Sequence, residues 1–321
     1  VGTGGAAGFG VRFSGNRLLP SLIPPRFCPF HALPLEWVDD HPAGFALPVR
    51  LHKALLLLAA LCVTPAHALT VEVEAPDEIK VLLMQHLETA RAARLGEKLD
   101  AEEMARLQRQ SELTVHDLLG TEGYFSPQVE SAVERVAEDW RVDYRVVPGP
   151  RTLVRSVKLA FAGALKTQAE AAGLRGRIER SFSLRQGMPF RQADWATAKL
   201  AVLQPLLTGR YPAARIAASE ARIDPATQSA DLTLTLDSGP AFFYGQPVIS
   251  GSQRYPESIA LHLNPTQPGK PVRQQDLFDY QTALETSGYY AQAVVSIEPD
   301  PALAAAVPIR VEVVERPEKL F

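Results

Sequence analysis

Apolar and polar residues alternate along the C-terminal four-fifths of this chain with two different periods. Thr70-Val71-Glu72-Val73-Glu74 and Asp231-Leu232-Thr233-Leu234-Thr235-Leu236 repeat every second residue, as half-buried strands do. Other stretches keep helical spacing: Ile79, Leu82, Leu83 and Leu87; Met104, Leu107, Ser111, Thr114 and Leu118; Trp195, Ala198 and Val202; Leu277, Tyr280 and Leu284. In order, the pattern predicts a strand at 70–74, a helix opened by Pro76-Asp77, and a polar connector over 91–98 containing Gly96. A second helix follows, with Asp100 and Glu103 as a capping pair, then strands at 128–136 and 140–147. The same order returns twice. A strand through Val157, Leu159 and Phe161 leads to helices reaching Arg180 and Gly209, then to strands at 213–223 and 231–236. A strand at 242–251 leads to a short helix at 256–263, a helix ending at Gly288, and strands at 294–298 and 309–314.

Self-similarity supports this division. Gly187-Met188-Pro189-Phe190-Arg191-Gln192-Ala193-Asp194-Trp195 returns 82 residues later as Gly269-Lys270-Pro271-Val272-Arg273-Gln274-Gln275-Asp276-Leu277, with five of nine positions identical. Gly and Pro set a tight turn, and Asp194 or Asp276 falls where a carboxylate favours the first turn of a helix. Gly next to an aromatic ends the second helix of each unit, at Gly123, Gly209 (one residue offset) and Gly288-Tyr289. Gly there predicts a left-handed cap. The fold class expected is α+β: three tandem β-α-α-β-β modules over 69–149, 150–239 and 240–316, each a three-stranded sheet with two helices. Pro148-Gly149-Pro150 and Gly239-Pro240 are the expected joints.

Residues 49–68 read differently. Arg50 and Lys53 precede about ten apolar residues, and Ala66-His67-Ala68 supplies the small-x-small pattern of a cleavage site. Those three parts make a secretory signal peptide; a short buried helix would not carry such flanks. The expectation is that translation starts at Val49, and that 1–48, with seven prolines and no sustained period, is an unstructured upstream extension. Cys28 and Cys62 both precede the cleavage site, so an exported mature chain would hold together by core burial without disulfides. Net charge is −3 for the whole chain, and the mature part carries 28 basic against 33 acidic residues. Bulk electrostatics of that sign gives no reason to expect a nucleic-acid partner.

No reactive constellation emerges from spacing. His86, His116 and His262 fall on three different elements, and Glu102-Glu103 point apart on a helix. G-x-S-x-G, Walker A and H-E-x-x-H patterns do not occur. Neither catalysis nor a cofactor or metal is expected.

A leader followed by tandem β-α-α-β-β units with Gly-Tyr after the second helix resembles the POTRA modules of the BamA/TamA outer-membrane assembly superfamily. Gly209-Arg210-Tyr211-Pro212-Ala213, Asp237-Ser238-Gly239-Pro240 and Ser287-Gly288-Tyr289-Tyr290 are similar to its TamA branch in particular. The resemblance implies a periplasmic scaffold that binds unfolded outer-membrane protein clients, autotransporters among them, and a TamB-like inner-membrane partner. It also implies an outer-membrane barrel next in the chain. A barrel strand takes roughly 10 residues and only seven follow Val314, so 317–321 reads as the approach to a barrel that this sequence does not contain. The family places the second strand of each module at a sheet edge, where an extended client can pair by its backbone. The candidate edges are Val129, Glu130 and Val133; Arg215, Ile216 and Ala217; and Val294, Val295 and Ile297. Charges such as Glu130, Glu134 and Glu220 would instead guard an edge. A freestanding periplasmic chaperone or adaptor, and the POTRA part of a BamA-like or two-partner secretion transporter, are the alternatives.

Overall fold

The third strand of each module alternates between the core and the opposite face and lies inside its sheet. The computed structural model describes residues 11–13, as backbone, and residues 69–317. The expected leader at 49–68, its cleavage residues Ala66 and Ala68, both cysteines and the terminal 318–321 lie outside the described residues.

In chain order the elements begin with β1 (Val11–Phe13), β2 (Leu69–Glu74), α1 (Asp77–His86), α2 (Glu88–Leu95), α3 (Ala101–Thr121), β3 (Gln128–Val136) and β4 (Asp139–Val147). Then come β5 (Leu153–Ala162), α4 (Ala164–Thr167), α5 (Ala172–Ser181), α6 (Gln192–Leu207), β6 (Arg215–Asp224) and β7 (Ser229–Asp237). The last set is β8 (Tyr244–Ser250), α7 (Glu257–His262), α8 (Gln274–Thr286), β9 (Tyr290–Ile297) and β10 (Val307–Glu315). The sheets run β2-β4-β3, β1-β6-β7-β5 and β8-β10-β9. In each module the third strand is central and pairs parallel with the first. The α+β class and its three repeated modules are therefore the observed architecture.

The central strands carry the cores. Ala230, Leu232, Leu234 and Leu236 of β7 are wholly buried, as are Val307, Ile309 and Val311 of β10. Fully burying a side chain of that size contributes roughly 1.5–3 kcal/mol. Trp195, Ala198 and Val202 of α6 pack on the β7 core, and Leu277, Tyr280 and Leu284 of α8 on the β10 core, as their spacing predicts. In the first module Val142, Tyr144 and Val146 of β4 are buried. Its predicted capping pair forms: the Glu103 amide donates to Asp100 Oδ1 at 2.8 Å, and the Asp100 amide to Glu103 Oε2 at 3.1 Å.

Three expectations are corrected. The polar connector over 91–98 is helical through Leu95, because Thr89, Ala90 and Ala92 give α2 a buried face of small residues behind its arginines. The first module thus has three helices, broken at an extended, wholly buried Leu87. Gly209 is not left-handed, whereas Gly123 (φ 92°) and Gly288 (φ 87°) are; α6 runs on through Thr208 in right-handed geometry instead. Residues 11–13, placed in an unstructured extension, form a strand that pairs with β6, so the second module's sheet has four strands where three were expected.

The described residues fall into two compact units. One holds 69–115 and 129–146; the other holds 11–13, 116–128 and 147–317. Inside the second unit the repeated phrase ties strands to helix ends. Phe190 N–H donates to Thr152 O (2.9 Å), and Thr152 N–H to Gly123 O (2.8 Å). The second copy repeats the relay: Val272 N–H to Phe242 O (3.0 Å), then Phe242 N–H to Arg210 O (2.8 Å). Pro189 and Pro271 each bridge to the start of their own module, at Leu153 and Phe243. Gly187 and Gly269, both at positive φ, supply the turn before each proline.

Candidate functional site: an open sheet edge

A sheet edge leaves backbone groups free to pair with another chain, so proteins guard edges with charge, proline or cover. The three sheets present their strands in distinguishable states. β2 carries Glu72 and Glu74, β3 carries Glu130, Glu134 and Arg135, and β5 carries Arg155 and Lys158. β8 has no charge but contains Pro247, which cannot donate to a ladder. β6 carries Arg215, Glu220, Arg222 and Asp224, and β1 lies along it. β9, Tyr-Ala-Gln-Ala-Val-Val-Ser-Ile, has neither charge nor proline, and among the described residues only β10 pairs with it.

The edge of β6 shows how an added strand sits. Val11 pairs with Ile223, Arg12 with Arg222 and Phe13 with Ala221, antiparallel. Pairing falls at the far end of the strand from Arg215, Ile216 and Ala217. A register irregularity lies between Ile216 and Ala218, and such a bulge locally disrupts the ladder. The expected β6 residues thus sit on the bulged half, away from the strand that pairs.

On β9 the expected residues divide by face. Val295 and Ile297 point inward and pack against the third module's core, while Val294 is exposed on the other face. Beside them lies a groove of about 520 Å³. Leu277, Phe278 and Gln281 of α8 form one wall, Val295, Ser296 and Ile297 of β9 another, and Gln204, Leu207 and Pro212 close its end. Phe278 is 62% exposed. Periodicity located the core face of α8 but passed over Phe278 because it is off that period; an exposed aromatic beside an uncharged strand was the available signal. Val129, Glu130 and Val133 lie on the edge strand β3, whose Ser131 donates to Glu112 of α3 and accepts from Gln108 at 2.6 Å.

The turn that leads into α8, one wall of the groove, is held by Tyr244, the first residue of β8. Its hydroxyl accepts from the Arg273 amide (3.0 Å) and donates to Arg273 O (2.9 Å), seating the turn into α8. Burial pushes this phenol up to about 12. Tyr280 donates to Ala260 O at 2.8 Å, joining α8 to α7, and burial raises it likewise to about 12. Both hydroxyls stay protonated donors at neutral pH.

Solved structures similar to this chain include the following three. BamA POTRA3-5 of Haemophilus influenzae matches at 18% identity over 78% of this chain and 96% of that one, with a TM-score of 0.41. POTRA1-3 of the periplasmic domain of Omp85 from Anabaena matches at 13% identity over 78% and 95%, with a TM-score of 0.31. CdiB from Escherichia coli matches at 13% identity over 69% of this chain but only 37% of its own length, with a TM-score of 0.28. No protein-family model and no curated protein matches. At TM-scores this low the overlays establish no shared fold; the module order stands on the chain's own sheets.

Elsewhere the polar groups are spent on one another. A cavity of about 930 Å³ in the first module is lined by Glu72, Glu74, Arg141, Asp143 and Arg145. Arg141 pairs with Glu72 and Asp143 (both 3.1 Å), and Arg145 with Glu74 (3.5 Å). His86, His116 and His262 are exposed on separate helices. Among the described residues no group of three or more His, Cys, Asp or Glu is placed to hold a metal, and no helix is long and apolar enough to cross a membrane.

Proposed function

We propose that this chain is the periplasmic scaffold of an outer-membrane assembly factor of the BamA/TamA type, and that it works by seating extended client chains on β9. One observation carries the reading: β9 carries neither charge nor proline of its own, pairs among the described residues only with β10, and borders an apolar groove; side chains of Glu285 and Arg316 meet its backbone near its start, at Ala293 N–H and Tyr290 O. Backbone pairing gives affinity without demanding a sequence, while the groove takes alternate apolar side chains. That combination suits many clients of similar pattern, such as unfolded barrel strands, which alternate apolar and polar residues. The strand already lying on β6, the equivalent position of the preceding module, supports an antiparallel mode of addition.

The finer assignment follows the resemblance. Within the superfamily the repeated phrases and Gly-Tyr corners favour the TamA branch, with autotransporters among the clients and a TamB-like inner-membrane partner at the first module. The signal peptide at 49–68 and a barrel beyond 316 would place the modules on the periplasmic side of the outer membrane.

Site-specific photocrosslinking tests the client reading. A crosslinker at Ser296, on the open edge, should capture an unfolded outer-membrane protein. The same group at Val248, on the proline-bearing edge of the same sheet, should not. Equal capture at both positions, or none at Ser296, rejects the assignment.

A further inference from the structure

The groove beside β9 is built by two modules. Its near end consists of Gln204 and Leu207, in the last turn of α6, and Pro212, all belonging to the second module. The remaining lining, from Val272 to Ile297, belongs to the third. The two parts are joined where the groove closes. Gln274, itself a lining residue, donates its amide to Thr208 O at 2.9 Å, and Phe242 donates to Arg210 O at 2.8 Å. Between these bonds Ala241, Phe242 and Phe243 alternate between the two cores. Ala241 and Phe243 pack with the second module's cluster, and Phe242 with the third's. Ala213 returns the contact, packing from the second module against the third's core.

Resting on the client reading above, we propose that the groove is an inter-module site. An extended apolar chain lying on β9 also touches the end of α6, and so closes the joint between the second and third modules. Opening the joint would part Leu207 and Pro212 from Val272 and Val295, removing one end of the groove while leaving the β9 edge intact. A ligand that contacts both sides only in the closed arrangement must stabilise that arrangement, and stiffening the joint must in turn tighten binding. Both hydrogen bonds run between backbone atoms of the two modules; Gln274 also lines the groove, whereas Phe242 does not, so exchange at the Phe242 amide reads closure apart from direct contact with the ligand.

The experiment uses the full chain and a blocked peptide of about 10 residues with a barrel strand's alternation of apolar and polar positions. Affinity and amide exchange at Phe242 and Gln274 are measured together. Binding should slow exchange at both amides by at least roughly tenfold, a change worth 1.4 kcal/mol. Leu207→Asn and Gln204→Arg, both in the second module, should each weaken the peptide by roughly tenfold. Gln204 is exposed, and an arginine suits the last turn of a helix, so that variant guards against a folding defect at the partly buried Leu207. If the peptide binds but the joint amides exchange unchanged and both variants keep full affinity, the site belongs to the third module alone and the inference falls. If the peptide does not bind the unaltered chain, the client reading itself fails.

Discussion

Replacing Gly123 by Ala should destabilise the unit containing the second and third modules far more than the same change at Gly187. Both glycines hold positive φ, 92° and 84°, a conformation that costs an L-residue roughly 1–2 kcal/mol. Their surroundings differ. A Cβ at Gly187 would meet nothing within 4 Å, whereas one at Gly123 would lie 2.0 Å from Phe190 O, a backbone atom. Relief requires moving Phe190, which is wholly buried and whose amide donates to Thr152 O. Losing that bond costs about 1 kcal/mol, and forcing extra bulk into a packed core costs roughly 1–3 kcal/mol. The sum is about 4 kcal/mol for Gly123→Ala against about 1.5 kcal/mol for Gly187→Ala. For a unit of this size each kcal/mol moves Tm by roughly 2–4 °C. The first variant should therefore melt roughly 8–16 °C below the parent and the second roughly 3–6 °C. Calorimetry and urea unfolding of the two variants side by side give the comparison. Equal losses would refute the claim that the end of α3 and the repeated phrase are in contact as described.

Three further outcomes follow from named contacts. Tyr280→Phe strips the donor from Ala260 O and should cost about 1–2 kcal/mol at neutral pH by urea unfolding. Because burial raises the phenol to about 12 from its usual 10, its contribution is whole below pH 10 and fades as pH rises toward 12; the variant should lose that part of the alkaline destabilisation. Asp231 is held down at about 2 by hydrogen bonds from Arg155 and Ser156, the latter at 2.6 Å. Its depressed value stabilises the fold above about pH 4, and the gain vanishes as pH falls from there toward 2. For so exposed a pair Asp231→Asn should cost no more than about 1 kcal/mol at pH 7 and flatten acid unfolding in that window. Glu315 accepts the amides of Tyr255 (2.9 Å), Arg254 (2.9 Å) and Gln253 (3.0 Å), which lower its pKa. Glu315→Ala should speed hydrogen exchange at those three amides and leave β7 unaffected; unchanged exchange would show that the loop holds itself.

The module order was legible because its signals are local. Period-two strands, period-3.6 helices and a phrase recurring at 82 residues each announce themselves within a short window. β3 was placed to the residue, since charges and turns bound it sharply at Gln128 and Val136. What escaped was set by tertiary contact. Small buried residues made α2 a helix although its sequence reads as polar, and Leu87 broke the preceding helix because burial outweighed continuity. The strand β9 begins at Tyr290, before the predicted 294, because a register shift opposite Val314 and Glu315 absorbs its irregular start. Edges could be nominated from strand order, but the groove could not. Its end and its β9 wall come from residues some 90 positions apart, Gln204 and Ile297, and only packing brings them together.

The central claim concerns where a client strand goes. Backbone chemical shifts of the isotope-labelled full chain, followed while an unfolded barrel-strand peptide is added, test it most directly. The account predicts perturbations along Tyr290–Ile297, on Leu277, Phe278 and Gln281, and at Gln204 to Pro212, with the charged edges of β2, β3 and β5 silent. Shifts gathered on those charged edges, or scattered over loops with β9 unmoved, would contradict it.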